Sequence, residues 1–152
     1  MTEIPAQAFS TTGNLKNISL PSTLKVIGEN AFASCGVEEL TLPEGLETIE
    51  ACGFLGAHLR EFIAPAGLKT IGNSAFNSAA LTEVQLNEGL QSIGIAAFSN
   101  LNITRFTFPD SVTTVGANVL ERCYSLKEVT VGAGITELSS PFAYTPSLIA
   151  IH

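Results

Sequence analysis

The stretch Leu15-Lys16-Asn17-Ile18-Ser19-Leu20-Pro21-Ser22-Thr23-Leu24-Lys25-Val26-Ile27-Gly28-Glu29-Asn30-Ala31-Phe32 decides how this chain folds, because its pattern returns along nearly the whole sequence. The terminal Ala-Phe pair is the easiest marker to follow. Phe9, Phe32, Phe54, Phe76, Phe98, Leu120 and Phe142 are evenly spaced from Phe32 onward, and only the first step is longer, by a single position. The other apolar positions keep the same phase. Val37, Leu40, Leu42, Leu46, Ile49 and Phe54 make the next unit, and Leu59, Phe62, Ala64, Leu68, Ile71 and Phe76 the one after it. Leu81, Val84, Leu86, Leu90, Ile93 and Phe98 follow, then Ile103, Phe106, Phe108, Val112, Val115 and Leu120. A sixth unit, Leu126, Val129, Val131, Ile135, Leu138 and Phe142, carries one extra residue before Leu126 and one fewer after Leu138. A fixed period in the range of roughly 20–50 residues is the signature of a stacked-repeat architecture.

Each unit converts to local structure by its own pattern. The I-x-L segment ahead of proline alternates inward and outward, as a short strand requires. Proline then ends the strand, since it has no N–H to give to a ladder. The L-x-x-I segment, Leu24 to Ile27 in the first unit, reads as a second extended stretch. Gly28, Gly72, Gly94 and Gly116 follow it, and a glycine there suits a turn with positive φ. The G-x-x-A-F segment reads as a single helical turn. The few apolar side chains of one unit cannot offset the cost of ordering its whole backbone, so one unit alone stays unfolded and neighbours must share a core and ladder bonds. The expected organisation is one solenoid domain over residues 1–152, about six full repeats with partial repeats at both ends.

Composition narrows the function. The formal charge is −7, and only seven Lys and Arg are present, scattered along the chain. A nucleic-acid partner needs a basic surface that displaces counterions, and none can be assembled here. No apolar run approaches the roughly 20 residues needed to cross a bilayer, so membrane insertion is not expected. Met1-Thr2-Glu3-Ile4-Pro5 has neither the basic start nor the apolar core of a secretory signal.

The unit L-x-x-I-x-L-P-x-x-L-x-x-I-G-x-x-A-F resembles the leucine-rich repeats of BspA-like proteins, over essentially the whole chain. The ending Phe-x-x-Cys common in that subclass is reproduced by Phe32 and Cys35, while Leu120-Glu121-Arg122-Cys123 keeps only the cysteine. The resemblance implies an α/β leucine-rich-repeat solenoid, rich in β, with a parallel sheet of one short strand per repeat, a second extended segment and one helical turn. It also implies a bacterial cell-surface or secreted location, adhesion to host or bacterial proteins or glycoproteins, no cofactor and no shared catalytic residues.

The strand face is the surface expected to bind. Between the inward residues it presents Ser19, Thr41, Ile63, Gln85, Thr107 and Thr130, and one step earlier Asn17, Glu39, Glu61, Glu83, Arg105 and Glu128. Stacked at a strand spacing of about 4.8 Å, Glu39, Glu61 and Glu83 form an acidic stripe. Like charges that close are unfavourable, and a basic partner relieves them. Against this stands the plainer reading that these glutamates only keep the protein soluble, with Lys16, Arg60 and Lys127 offsetting them.

Other residues capable of chemistry have structural readings. Cys35 and Cys123 share a phase with Ala57, Ala79 and Leu101, which reads as packed core, and lie too many coils apart for a disulfide. Cys52 shares a mostly polar phase with Asn30, Ser74, Ala96, Asn118 and Ser140, and is expected to be partly exposed. His58 and His152 sit at no metal-ligand spacing, and no metal site is expected. The lone Asp110 follows Pro109 in a turn, where aspartate is a common structural choice. Asn17-Ile18-Ser19 and Asn102-Ile103-Thr104 match the glycosylation sequon but fall on expected strands. Catalysis is not expected. The chain starts and stops within a repeat, so the terminal coils should expose core side chains and strand edges, consistent with a fragment of a longer array or with end-to-end self-association. Two functions follow: a protein-binding adhesin module, or a structural spacer holding another domain away from a surface.

Overall fold

The computed structural model describes residues 1–152 as a stacked series of about seven coils held by parallel pairing. The strands are β1 (Glu3–Ile4), β2 (Val26–Ile27), β3 (Thr48–Ile49), β4 (Glu61–Ile63), β5 (Thr70–Ile71), β6 (Glu83–Gln85), β7 (Ser92–Ile93), β8 (Arg105–Thr107), β9 (Thr114–Val115), β10 (Glu128–Thr130) and β11 (Ala150–Ile151). They divide into two faces. The L-x-x-I segments build the continuous one, a six-stranded parallel sheet in the order β1-β2-β3-β5-β7-β9. Its inward row is Ile4, Ile27, Ile49, Ile71, Ile93 and Val115, each in register with the next.

The I-x-L segments build the other face, and there the ladder is broken. β4 pairs with β6, and β8 pairs with β10, which pairs in turn with β11, but β6 and β8 share no ladder. Residues 17–19 and 39–41, expected as strands, are extended without strand pairing. The inward residues of this face differ in volume from coil to coil, at paired and unpaired junctions alike. Phe62 and Phe106 are buried on either side of Val84, which is only half-buried, and Phe108 follows Leu86 in the same way.

The core runs unbroken from Ile4 to Val129. Its spine is the phenylalanine column. Phe9, Phe32, Phe54, Phe76 and Phe98 stack at centroid distances of 5.1 to 5.3 Å with nearly parallel planes. Cys35 and Cys123 are buried in their row, as expected, and Cys52 is half-buried in its own.

Two sequence-based expectations are corrected here. The G-x-x-A-F segment contains no helical turn. The residue two before the phenylalanine position is left-handed in every coil (Gln7, Asn30, Cys52, Ser74, Ala96, Asn118 and Ser140), as is the residue two after it (Thr11, Ser34, Gly56, Ser78, Asn100, Arg122 and Tyr144), with φ between 46° and 62°. A helix cannot survive a left-handed residue on each side of its centre. Instead the N–H groups alternate. Asn30, Phe32 and Ser34 donate to Ala51, Gly53 and Leu55 of the next coil, while Ala31, Ala33 and Cys35 close turns onto Gly28, Asn30 and Phe32. The segment is thus a third line of coil-to-coil bonding.

The second correction concerns Gly28, Gly72, Gly94 and Gly116. None has positive φ; the positive-φ glycines are Gly56 and Gly89. The reason for glycine is close approach of the preceding coil. A Cβ on Gly94 would lie 2.4 Å from the Asn73 nitrogen, and one on Gly116 2.3 Å from the Ile95 nitrogen.

Candidate binding face

Every residue expected on the strand face is exposed: Glu39, Thr41, Glu61, Ile63, Glu83, Gln85, Arg105, Thr107 and Glu128, together with Asn17, Ser19 and Thr130. The alternation that buries Phe62, Phe106 and Val129 turns their neighbours outward, so the period of the strand alone positions the row. Register then decides which residues meet. Glu61 lies directly beside Glu83, and Ile63 beside Gln85. Arg105 lies beside Glu128, and Thr107 beside Thr130.

The row is not the even ladder that stacking alone implies. A cleft of about 750 Å³ separates the β6 and β8 segments, with Glu83 and Glu88 on one wall and Arg105 and Thr107 on the other. A second cleft of about 430 Å³ lies between residues 38–44 and 60–65, and its walls bring together Glu39 and Glu61. Leu40, Leu42, Val84 and Leu86, the inward residues at these breaks, are half-buried and leave apolar floor within the clefts. Backbone groups on the facing edges of β6 and β8 have no ladder partner, and so offer donors and acceptors to something else.

Electrostatically the stripe is uncompensated. Arg60 binds Glu38 at 2.6 Å and Lys16 approaches the same carboxylate at 3.8 Å, so both cations serve the row beside the stripe. Glu39, Glu61, Glu83 and Glu128 have no cation within ion-pair distance; Glu83 only accepts a 3.3 Å bond from Gln85 Nε2. Arg105 is likewise without an ion pair, although Glu83 and Glu128 flank it. The expectation that Lys16 and Arg60 offset the stripe does not hold in this geometry. The clefts were also missed, and no pattern within a single repeat signals them.

Elsewhere the candidates are structural. Asp110 Oδ1 accepts the Ala133 N–H of the next coil at 2.8 Å, which staples two turns together. His58 and His152 are exposed, and no group of three or more His, Cys, Asp or Glu side chains is placed to hold a metal ion. Burial raises the Cys52 thiol, and the nearby Glu29 carboxylate raises it further, so it is not an activated thiolate. No helix is long and apolar enough to cross a membrane.

This geometry can be set beside known proteins. Residues 2–127 and 48–151 match the BspA-type leucine-rich repeat region, in six copies. The pneumococcal vaccine antigen PcpA is 33% identical, with a TM-score of 0.76 over 88% of this chain and 36% of its own. A T. pallidum leucine-rich repeat protein is 24% identical, with a TM-score of 0.64 over 99% of this chain and 62% of its own. A leucine-rich cell-surface protein of Faecalibacterium prausnitzii is 23% identical, with a TM-score of 0.58 over 97% of this chain and 50% of its own. The last two show the fold alone, and the chain spans less than two thirds of the length of each of the three. No curated protein matches. With the family pattern covering nearly every residue and the coil geometry described above, the chain belongs to the BspA-type leucine-rich repeat family.

Proposed function

We propose that this chain is a protein-binding module of a bacterial surface protein, an adhesin segment whose strand face receives a basic protein or glycoprotein. One observation carries the reading. Glu61 and Glu83 lie in direct register on the same face, exposed and without a cation, and Glu39 shares a cleft with Glu61. Like charges placed side by side destabilise a sheet, and packing gives no reason for them at exposed positions. A partner with Lys or Arg groups converts that repulsion into attraction and speeds encounter. The surface location of the F. prausnitzii relative is in keeping with this, and so is the vaccine-antigen role of PcpA. Binding rather than catalysis fits a family of repeat modules and a site without a nucleophile–base pair.

The test uses the immobilised protein against a panel of extracellular-matrix and serum glycoproteins, alongside the E39K/E61K/E83K variant, whose fold is checked by circular dichroism. Saturable, salt-sensitive binding that the folded variant loses supports the proposal. Equal binding by the variant removes the strand face from it. Binding to nothing on the panel favours the spacer reading, for which the unbroken six-stranded sheet and stacked Phe column supply the stiffness.

A further inference from the structure

A second surface lies away from the strand face, on the turn side of the last two coils. The residue two after the phenylalanine position is left-handed in all seven coils and is at least partly exposed in each, interior coils included. Five coils place there Thr11, Ser34, Gly56, Ser78 and Asn100, all small or short polar residues. The last two place Arg122 and Tyr144, with φ of 58° and 57°. Large side chains are disfavoured in that conformation. Tyr124, two residues beyond Arg122, is 57% exposed, and Tyr144 is 67% exposed. These are the only tyrosines in a chain without tryptophan. Every buried aromatic of the core is a phenylalanine.

Arg122 and Tyr144 come together on this surface. The Arg122 guanidinium lies over the Tyr144 ring at 5.7 Å, and its Nε faces Glu121 at 3.6 Å. Its two terminal nitrogens bond to nothing in the protein. A guanidinium whose two terminal nitrogens are free can take a carboxylate with two parallel bonds. Tyrosine and arginine exposed together are also the residue types that dominate protein-contact energetics.

We infer that Arg122 and Tyr144 form a docking site for a protein segment presenting a carboxylate side chain beside an apolar one. The site is independent of the strand face and has the opposite charge preference.

The probe is the tripeptide N-acetyl-Glu-Leu-Phe-amide, titrated at millimolar concentration into the ¹⁵N-labelled chain, with the Arg122 Nε–H and the Tyr144 amide followed by NMR. The Gln-Leu-Phe counterpart and sialyllactose, a carboxylate-bearing glycan, are titrated in parallel. The expected result is saturable shifts at Arg122 and Tyr144 with the Glu peptide, at least tenfold weaker apparent affinity for the Gln peptide, and a similar loss in Arg122→Asn. Asn is what the preceding coil carries at this position, so that variant keeps the fold. Arg122→Lys keeps the charge and is expected to lose several-fold for want of the fork. The E39K/E61K/E83K variant is expected to bind the Glu peptide unchanged. Equal response to the Glu and Gln peptides overturns the carboxylate assignment. Response to sialyllactose without response to the Glu peptide overturns the protein segment in favour of a glycan, and no shift at Arg122 with any probe overturns the site.

Discussion

Phe54 and Phe76 stack with ring centroids 5.2 Å apart and planes only 2° from parallel, although they belong to successive coils and are joined only by a full turn of the chain. Each ring is held by the one before and after it, and Phe76 also meets Phe62 at 4.3 Å. Phe76→Ala therefore removes contacts with three rings at once, and the expected loss is about 3–5 kcal/mol in urea denaturation. Phe76→Leu keeps most of the volume and copies Leu120, which fills the same column, so a loss of about 1 kcal/mol is expected. Equal losses for the two variants would mean that ring stacking, not volume, holds the column.

Ala96 sits with φ of 54° at a position where Asn30 and Asn118 occupy the same column. A left-handed conformation costs an L-residue with a Cβ roughly 1–2 kcal/mol, and asparagine tolerates it better. Ala96→Asn should stabilise the chain by about 0.5–1 kcal/mol, and for a chain of this size that raises Tm by about 1–4 °C. Asn100→Val, at the other left-handed column, should lower Tm. A fall in Tm for Ala96→Asn in a scanning calorimeter would show that the column is not limited by backbone strain.

These left-handed columns also mark where reading by sequence stops. The phase of Phe9 to Phe142 was legible because burial repeats with the chain, and so was the outward row through Glu61 and Thr107, because alternation is local. The Ala31-Phe32 segment passed for a helical turn because one coil shows only Asn30 and Ser34 around it. The conformation appears when the columns Asn30, Ser74, Asn118 and Ser34, Ser78, Asn100 are compared. The break beside Val84 was illegible for another reason. Phe62 meets Val84 in full register and Phe106 meets Val129 likewise, so residue type does not distinguish the junctions that bond from that between β6 and β8, which does not. Neither could the sequence assign Lys16 and Arg60 to Glu38 rather than to Glu39 and Glu61, since that choice depends on where flexible side chains end.

Gly94 tests the close approach of coils directly. Its Cβ would stand 2.4 Å from the Asn73 nitrogen and 2.5 Å from the Gly72 carbonyl carbon, both backbone atoms that cannot swing aside. Gly94→Ala should destabilise by about 1–3 kcal/mol through overpacking. Amide exchange at Gly94 and Gly116, whose N–H groups donate to Ile71 and Ile93, should accelerate in the variant as coil spacing is forced open. The chain does carry a side chain at this phase at Pro5 and at Glu50, where the carboxylate takes the Glu29 N–H at 3.1 Å. Gly94→Glu should accordingly be no better than Gly94→Ala, because Ile95 N–H is already held by Asn73 Oδ1 across the same junction. Unchanged exchange and unchanged stability in Gly94→Ala would show that the coils have room to spare.

Cys123 gives the fold an alkaline limit. The thiol is fully buried and its Sγ lies 3.2 Å from the Phe98 carbonyl oxygen. Burial pushes its pKa from 9.0 up to about 11, with the Leu101 backbone pulling partly the other way. Below pH 9 both folded and unfolded chains keep the proton, and the thiol leaves stability independent of pH. Above that, the unfolded chain releases it while the folded chain holds it, so the unfolded state binds fewer protons and stability falls as pH rises through 11. The shift corresponds to a loss on the order of 2–3 kcal/mol across that window. Cys123→Ala lowers stability at neutral pH by opening a small cavity, but it should flatten the decline between pH 9 and 11 by that amount. Urea denaturation of both proteins at pH 8, 9, 10 and 11 separates the two effects, because the cavity displaces the whole curve and the thiol changes only its slope. Parallel curves would mean that the alkaline limit is set by other groups.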